Sequence, residues 1–211
     1  LKATRNDLLE SLLPPVTAHD GLAVILQNGM GGEAVAARAA GADRVAGGLC
    51  FVCVRKAGPG RIEHLDYGDL KLAAYRPGNQ PQPAGLRLHQ IASDVTAAGI
   101  PATVHDDLLA LRWQKLLWNA PFNTLSVLLN TTTDRLAAHP ETGALVHSVM
   151  MEVMAGARAT GRNLPDTLPE KILAATRAMT PYEPSMKLDW LARRPMEVEA
   201  ILGEPLRLGQ G

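Results

Sequence analysis

The chain changes character near Asp106. Before that residue, short apolar segments alternate with helical patterns, and the continuous apolar run Leu22–Leu26 is typical of a strand buried on both faces of a parallel sheet. After it, the apolar residues recur at helical spacing, and we find no convincing strand pattern. We therefore expect an α/β plus all-α fold, with an α/β domain over residues 1–105 and a helical domain over residues 106–211.

The bulk composition excludes several classes of protein. With 46% hydrophobic residues among 211, the chain can bury a substantial core. Its formal net charge of zero gives no electrostatic reason to expect nucleic acid or an anionic membrane surface as the main partner. Neither a signal peptide nor an apolar run long enough to span a bilayer is visible, so we expect a cytoplasmic protein.

The two cysteines stand in a C-x-x-C pattern, which invites a redox or zinc interpretation. Their context, Leu49 to Val54, is strand-like, and in a strand an odd separation sends Cys50 and Cys53 to opposite faces. No second pair of Cys or His residues completes a zinc site. We expect two inert, buried thiols in a reducing compartment, and no metal site.

Several local patterns predict secondary structure. Pro14-Pro15 should end a first helix, and Asp66–Asp69 reads as a hairpin turn between two short strands. Later in the chain, Pro121 should kink a long helix, and Ser185 should cap a helix that begins at Met186. A final helix should open at Pro195 and include Glu197 in its first turn, where an acid favours the helix dipole.

The run Leu22–Leu26 leads directly into a glycine-rich turn, Gln27 to Gly32, and then into an alanine-rich helix. A strand, a glycine-rich turn and a helix in this order present backbone N–H groups to a ligand. The glycines do not match G-x-G-x-x-G, and such a turn alone is more often structural. Asn28 is the more informative residue, because ligands of open α/β sheets bind at the carboxyl ends of strands.

Lys115, Asn119 and Asn123 are spaced four residues apart and therefore share one face of the long helix. The rest of that segment is largely apolar, which leaves two interpretations of the lysine. In the first, it snorkels from a buried helix to solvent. In the second, the three residues face a ligand, and Lys115 donates a proton or anchors an anion. The pattern alone favours the first.

Three motifs of the chain, taken together and in order, resemble those of the ketopantoate reductase (2-dehydropantoate 2-reductase) family. They are Leu26 to Gly31, then Trp113 to Leu116 with its two following asparagines, then Pro184 to Met186 followed by Glu197. The resemblance covers essentially the whole chain. It implies a Rossmann-type domain that binds NADP(H), followed by a helical dehydrogenase domain. The implied activity is reduction of ketopantoate to pantoate, on the route to coenzyme A.

The resemblance also assigns roles to residues. Lys115 matches the catalytic lysine that protonates the developing alkoxide. The helix amides that hold the 2-keto acid substrate correspond to Asn119 and Asn123. Ser185 matches the hydroxyl that binds the substrate carboxylate, and Glu197 matches the acid that hydrogen-bonds the substrate hydroxyl. The implied cofactor-binding residues are Asn28, Gly29 and Lys2.

The chain also departs from the family pattern. The phosphate-binding G-x-G-x-x-G is absent, so we expect that the chain begins well into the Rossmann-type domain and ends before the last part of the helical domain. Thr133 and Tyr182 replace polar family positions, which leaves open a paralogous reductase of another 2-keto acid. A third alternative is a non-catalytic helical dimerisation or metabolite-binding module. The methionine-rich pattern from Pro140 to Gly161 is compatible with a homodimer or with core packing.

Overall fold

A computed structural model of the protein describes residues 1–17 and 20–210. The chain forms two compact units, Leu1–Leu111 and Arg112–Gly211. A mixed sheet with helices makes up the first unit, and helices make up the second, as the expected fold class requires. The nucleotide-binding role of residues 1–105 and the substrate-binding role of residues 106–211 remain predictions, because compactness does not test binding.

The first unit is built on one sheet with strand order β1-β2-β3-β4. β1 pairs with β2 in parallel, β2 with β3 antiparallel, and β3 with β4 in parallel. Both ends of β1 are buried, which confirms the strand predicted from the apolar run. The strands are β1 (Ala23–Ile25), β2 (Val45–Gly58), β3 (Arg61–Ala74) and β4 (Ala102–His105).

The hairpin predicted at Asp66–Asp69 is wrong, because β3 runs unbroken through it. Phe51 pairs with Asp69 and Val52 with Tyr67, so Gly68 is an extra residue, bulged out of the ladder. The turn joining β2 to β3 instead lies at Pro59-Gly60, where Gly60 has a φ of +69°. Turn-forming residues thus mark a bulge here, which only the cross-strand register distinguishes from a hairpin.

Helices of the first unit pack against this sheet. They are α1 (Leu9–Val16), α2 (Gly32–Ala40) and α3 (Leu86–Ala97), with 3-10 turns at Ala3–Leu8, Ala42–Arg44 and Pro77–Asn79. The predicted stop at Pro14-Pro15 is wrong by a residue, since α1 contains both prolines. Proline fits the helical φ, although it lacks the N–H donor and its ring crowds the carbonyl four residues earlier. The helix ends just beyond the prolines, where the backbone N–H and the hydroxyl of Thr17 both donate to the Leu13 carbonyl, at 2.9 and 2.8 Å.

The second unit is helical in its described part. α4 (Leu108–Leu128) enters it from the first unit, and α5 (Thr133–Ala138), α6 (Pro140–Ala159), α7 (Leu168–Ala178) and α8 (Ser185–Leu191) follow. A π-helical segment, Glu199–Gly203, leads into α9 (Glu204–Gln210). Across the described residues, every helix is too short or too polar to cross a membrane.

Two boundaries in the second unit differ from prediction. Ser185 is the first residue of α8 and Pro184 occupies the capping position, so Ser185 is not an N-cap. Glu197 lies before the last helical segment, in which helical structure resumes at Val198. Both residues therefore stand at the start of a helix, where backbone N–H groups lack intrahelical partners.

α4 is central to the packing of the second unit. Trp113 is buried against α6, where a Cβ added at Gly156 would lie 2.7 Å from its ring. The indole N–H donates to the Thr160 hydroxyl at 2.9 Å, which satisfies its polar edge. Met150 and Met154 of α6 are buried, as expected for core-filling methionines, whereas Met151, expected in the same cluster, is 40% exposed. This packing fixes the rotation of α4 and hence the direction in which its polar stripe faces.

Candidate active site

The polar stripe predicted on α4 lies on a helix that continues through Pro121, and the kink expected there stays a prediction. Lys115 is partly exposed, whereas Asn119 and Asn123 are 5% and 1% exposed. Two amides are thus withdrawn from water while the lysine between buried Trp113 and Leu116 keeps some access to solvent. Polar groups buried in this way are costly unless they have hydrogen-bond partners, so the partners of each amide are informative.

Asn119 has a buried hydrogen-bond donor, the amide Nδ2. Among the described residues, none accepts a hydrogen bond from its Nδ2. An orphaned buried donor costs roughly 1–3 kcal/mol, and folded proteins tolerate it where a ligand supplies the missing acceptor. Asn119 lies one turn after Lys115 on the same face, so this donor can address the oxygen of a bound molecule near the lysine.

Asn123 is bonded within the protein. Its Oδ1 accepts the backbone N–H of Met186 at a distance of 3.1 Å. Met186 is the second residue of α8, so Asn123 caps that helix from α4 in place of a local N-cap. The bond places Ser185, which is partly exposed, beside the end of the polar stripe.

Glu197 is 5% exposed and lies in the extended segment that follows α8. That segment is tied back to α8 through Arg194, whose Nε donates to Asp189 Oδ1 at 2.9 Å. The backbone N–H of Arg194 also donates to the Asp189 carbonyl, at 2.8 Å. The stretch leading to the buried acid is therefore anchored on the helix that begins with Ser185.

The three predicted cofactor residues all belong to the first unit. Asn28 and Gly29 lie in the turn between β1 and α2, and Gly29 has a φ of +79° that glycine adopts without strain. Gln27 Nε2 donates to the Leu1 carbonyl at 3.1 Å, which brings the residue beside Lys2 to this turn. The structure thus gathers Lys2, Asn28 and Gly29 in one region.

The start of α2 in this region is open. Within the described chain no side chain caps the N-terminus of α2. The capping position is occupied by Gly31, which has a φ of +88°. A Cβ at Gly32 would lie 2.8 Å from Gln27 Oε1 and 3.1 Å from Ile25, so a larger residue there would displace the Gln27 side chain and crowd Ile25. Uncapped N–H groups at a helix start attract anionic groups such as phosphates.

Sequence reasoning missed two features of the second unit. Lys187 is only 3% exposed although it is charged, and Thr133 is fully buried. The Thr133 hydroxyl and backbone N–H both donate to the Tyr182 carbonyl, at 3.0 and 3.3 Å. The spacing of Glu183 and Lys187 was a signal for an ion pair, and their charged atoms lie 3.8 Å apart. Nothing in the sequence indicated the bond between Thr133 and Tyr182.

The cysteines lie on β2, as predicted, and both thiols are free. Burial, with a smaller contribution from the charge of Asp66, raises the pKa of Cys53 to about 11, so this thiol is unreactive near neutral pH. Cys50 is only partly buried, contrary to expectation. Within the described residues, no group of three His, Cys, Asp or Glu side chains is placed to hold a metal ion.

Comparison with known proteins identifies similar families and structures. Residues 107–211 match the family model "Ketopantoate reductase PanE/ApbA C terminal", and residues 1–77 match "Ketopantoate reductase PanE/ApbA". A 2-dehydropantoate 2-reductase from a Nostoc species is 47% identical over 210 residues, which are 100% of this chain and 66% of the relative. The chain therefore spans less than two thirds of that relative's length.

Solved structures give the same result for the fold. The 2-dehydropantoate 2-reductase of Geobacter metallireducens is 36% identical and superposes with a TM-score of 0.93, over 100% of this chain and 69% of that one. The enzyme of the same name from Methylococcus capsulatus is 36% identical, with a TM-score of 0.87 over 100% of this chain and 66% of that one.

Proposed function

Since this chain belongs to the ketopantoate reductase family, we propose that the protein reduces 2-dehydropantoate (ketopantoate) to pantoate with NADPH, in pantothenate and coenzyme A biosynthesis. One observation carries the proposal beyond family membership. Asn119 holds a buried donor that has no partner among the residues the structure describes, on the face of α4 that also carries Lys115. A ketone or carboxylate oxygen is the kind of acceptor that such a donor lacks.

The first unit fits a nucleotide cofactor. The uncapped start of α2 and the positive-φ glycines before it suit a close approach of phosphate groups to the backbone. Lys2 follows Leu1, whose carbonyl is bonded to Gln27 of this turn, and Asn28 contributes a neutral amide. When bound, NADPH supplies the hydride for ketone reduction. We propose that Lys2, Asn28 and Gly29 hold it.

The residues of the second unit suit the remaining chemistry. Hydride addition to the C2 carbonyl carbon converts the C=O double bond to an alkoxide, and Lys115 donates a proton from its ammonium to that oxygen. The resulting neutral amine regains its proton from solvent, to which Lys115 is partly exposed. Asn119 orients the substrate without competing for the proton. We assign the substrate carboxylate to Ser185 and the substrate hydroxyl to Glu197.

We assign Asn123 to substrate binding as well, through the amide nitrogen, because its oxygen is already engaged with the Met186 N–H.

The cytoplasmic location and the homodimer also remain predictions. The two free thiols support a reducing compartment.

A second candidate is a reductase of a different 2-keto acid on the same scaffold. Thr133 stands where the family pattern has a substrate-binding amide, and its hydroxyl donates to the backbone carbonyl of Tyr182. That hydroxyl is therefore engaged within the protein, so Thr133 does not supply the donor that an amide supplies at this family position. A substrate that lacks the hydroxyl of ketopantoate needs fewer such donors, so this observation favours a simpler 2-keto acid.

An NADPH-oxidation assay across a panel of 2-keto acids tests both candidates. We expect turnover of ketopantoate. A higher kcat/KM for a branched 2-keto acid that lacks the hydroxyl of ketopantoate would instead select the second candidate. Lys115→Met should lower kcat by about 100- to 10,000-fold, the usual contribution of a positioned general acid. The exposed Lys171→Met is the matched control and should retain activity. Inactivity of the wild-type protein on every keto acid would leave the non-catalytic module as the better reading.

A further inference from the structure

Lys187 is a buried cation to which the proposed mechanism gives no task. It lies two residues after Ser185 in α8 and is 3% exposed. Residues two apart in a helix point about 200° away from each other, so its ammonium does not share the face of Ser185. Burying an ammonium is expensive, and the partners that offset this cost indicate what the residue does.

Its hydrogen-bond partner comes from the end of α4. Lys187 Nζ donates to the Thr131 carbonyl at 3.0 Å and lies 3.8 Å from Glu183 Oε1. The backbone N–H of Thr131 in turn donates to the Ser126 carbonyl at 3.1 Å, which closes the last turn of α4. Thr131 therefore connects Lys187 directly to the helix that carries the polar stripe.

Two further bonds join the same parts of the chain. Asn123 of α4 accepts from the Met186 N–H, and Thr133, two residues after Thr131, donates to the Tyr182 carbonyl. The three attachment points, Tyr182, Met186 and Lys187, lie on both sides of Ser185 in the sequence. α8 has seven residues, too few to hold its place by intrinsic helix stability. Its position relative to α4 is set by these ties.

We propose that Lys187 is a positioning residue, which holds Ser185 in register with Lys115 and Asn119 by tying α8 to the end of α4. The inference rests on the proposed function, in which Ser185 binds the carboxylate of the 2-keto acid. Lys187 acts through Ser185 and does not touch the substrate. Its loss therefore weakens binding of the keto acid and leaves NADPH binding unchanged.

Kinetics of Lys187→Met, which keeps the length of the side chain and removes the donor, test the proposal. We expect KM for the keto acid to rise about tenfold, the effect of one hydrogen bond, with KM for NADPH unchanged. The exposed Lys171→Met is the control and should change neither constant. Thermal destabilisation with both KM values unchanged would show a merely structural lysine and overturn the proposal.

A double-mutant cycle sharpens the test, because a residue that acts through Ser185 has no effect once Ser185 is gone. Lys187→Met should therefore raise the KM of Ser185→Ala by less than about twofold. A full tenfold increase in that background would contradict action through Ser185.

Hydrogen exchange separates this proposal from the proposed function. Backbone amides over residues 182–187 should exchange faster in Lys187→Met than in wild type, whether or not any keto acid is turned over. Faster exchange in Lys187→Met, together with a wild-type protein that turns over no keto acid, would retain the tie and reject the reductase. Unchanged exchange would reject the tie itself.

Discussion

Asn119 and Asn123 lie one turn apart on the same face of α4, and we predict that the same substitution changes stability in opposite directions at the two positions. Asn119→Leu replaces a buried donor that has no partner among the described residues by an apolar group of similar size. The orphaned donor costs about 1–3 kcal/mol, so the free energy of unfolding should rise by about 1–2 kcal/mol. Leucine also has the higher helix propensity.

Asn123→Leu is the matched control. Asn123 is as deeply buried, but its Oδ1 accepts the Met186 N–H at 3.1 Å. Leucine there leaves that N–H without an acceptor, and the free energy of unfolding should fall by about 1–3 kcal/mol. The contrast depends on the hydrogen bonds and not on burial, because both side chains are almost fully enclosed.

Urea unfolding followed by tryptophan fluorescence measures both changes. The three tryptophans of the chain, Trp113, Trp118 and Trp190, all belong to the second unit, so the signal reports on the unit that contains both asparagines. Asn119→Leu should also lower kcat/KM for the keto acid by about 10- to 100-fold, because the substrate loses a hydrogen bond. A loss of stability in Asn119→Leu comparable to that in Asn123→Leu would refute the assignment of Asn119 to a ligand.

Three further predictions concern single residues. Arg193 closes α8 with a φ of +53°, and Arg193→Gly should raise the free energy of unfolding by about 1 kcal/mol in the same urea assay. Burial, with the charge of Asp66, raises the pKa of Cys53 to about 11, so about one Cys53 thiol in a thousand is ionised at pH 8. Mass spectrometry after iodoacetamide treatment should therefore show Cys53 unmodified in the folded protein and modified in urea. Burial, and secondarily the charge of Lys71, lower the pKa of His105 below 6.5 in the folded protein. The neutral imidazole therefore contributes its full share of stability above pH 6.5, and this share is lost as the pH falls from 6.5 through the folded-state pKa. His105→Gln should therefore reduce the slope of unfolding free energy against pH below 6.5, and an unchanged slope would show that His105 does not contribute.

Individual helices and strands were predictable where a short sequence pattern is compatible with only one type of secondary structure. The apolar run Leu22–Leu26 contains the strand β1, in which Ala23 and Ile25 are buried, and the long helix with Lys115, Asn119 and Asn123 on one face is present. Both follow from periodicity within a single element, which depends on residues at most a few positions apart.

Predictions failed where a residue type serves two structures. The glycine at position 68 reads as a turn, yet it is a bulge, because β3 pairs with β2 on both sides of it. Pro14 and Pro15 read as a helix stop, yet α1 contains both and ends only at Val16. Proline can take the helical φ as well as end a helix, and the sequence does not distinguish the two.

The sequence alone therefore determined which residues share a helix face and in what order the elements follow, since these depend on local spacing. It could not distinguish the orphaned amide of Asn119 from the bonded amide of Asn123, because the partner of Asn123 lies 63 residues away. Nor could it show that Lys187 is buried, since its acceptor, Thr131, lies 56 residues away. Hydrogen-bond partners and burial belong to the packed structure, and in this protein they decide which polar residues remain available to a ligand and which hold α8 in place.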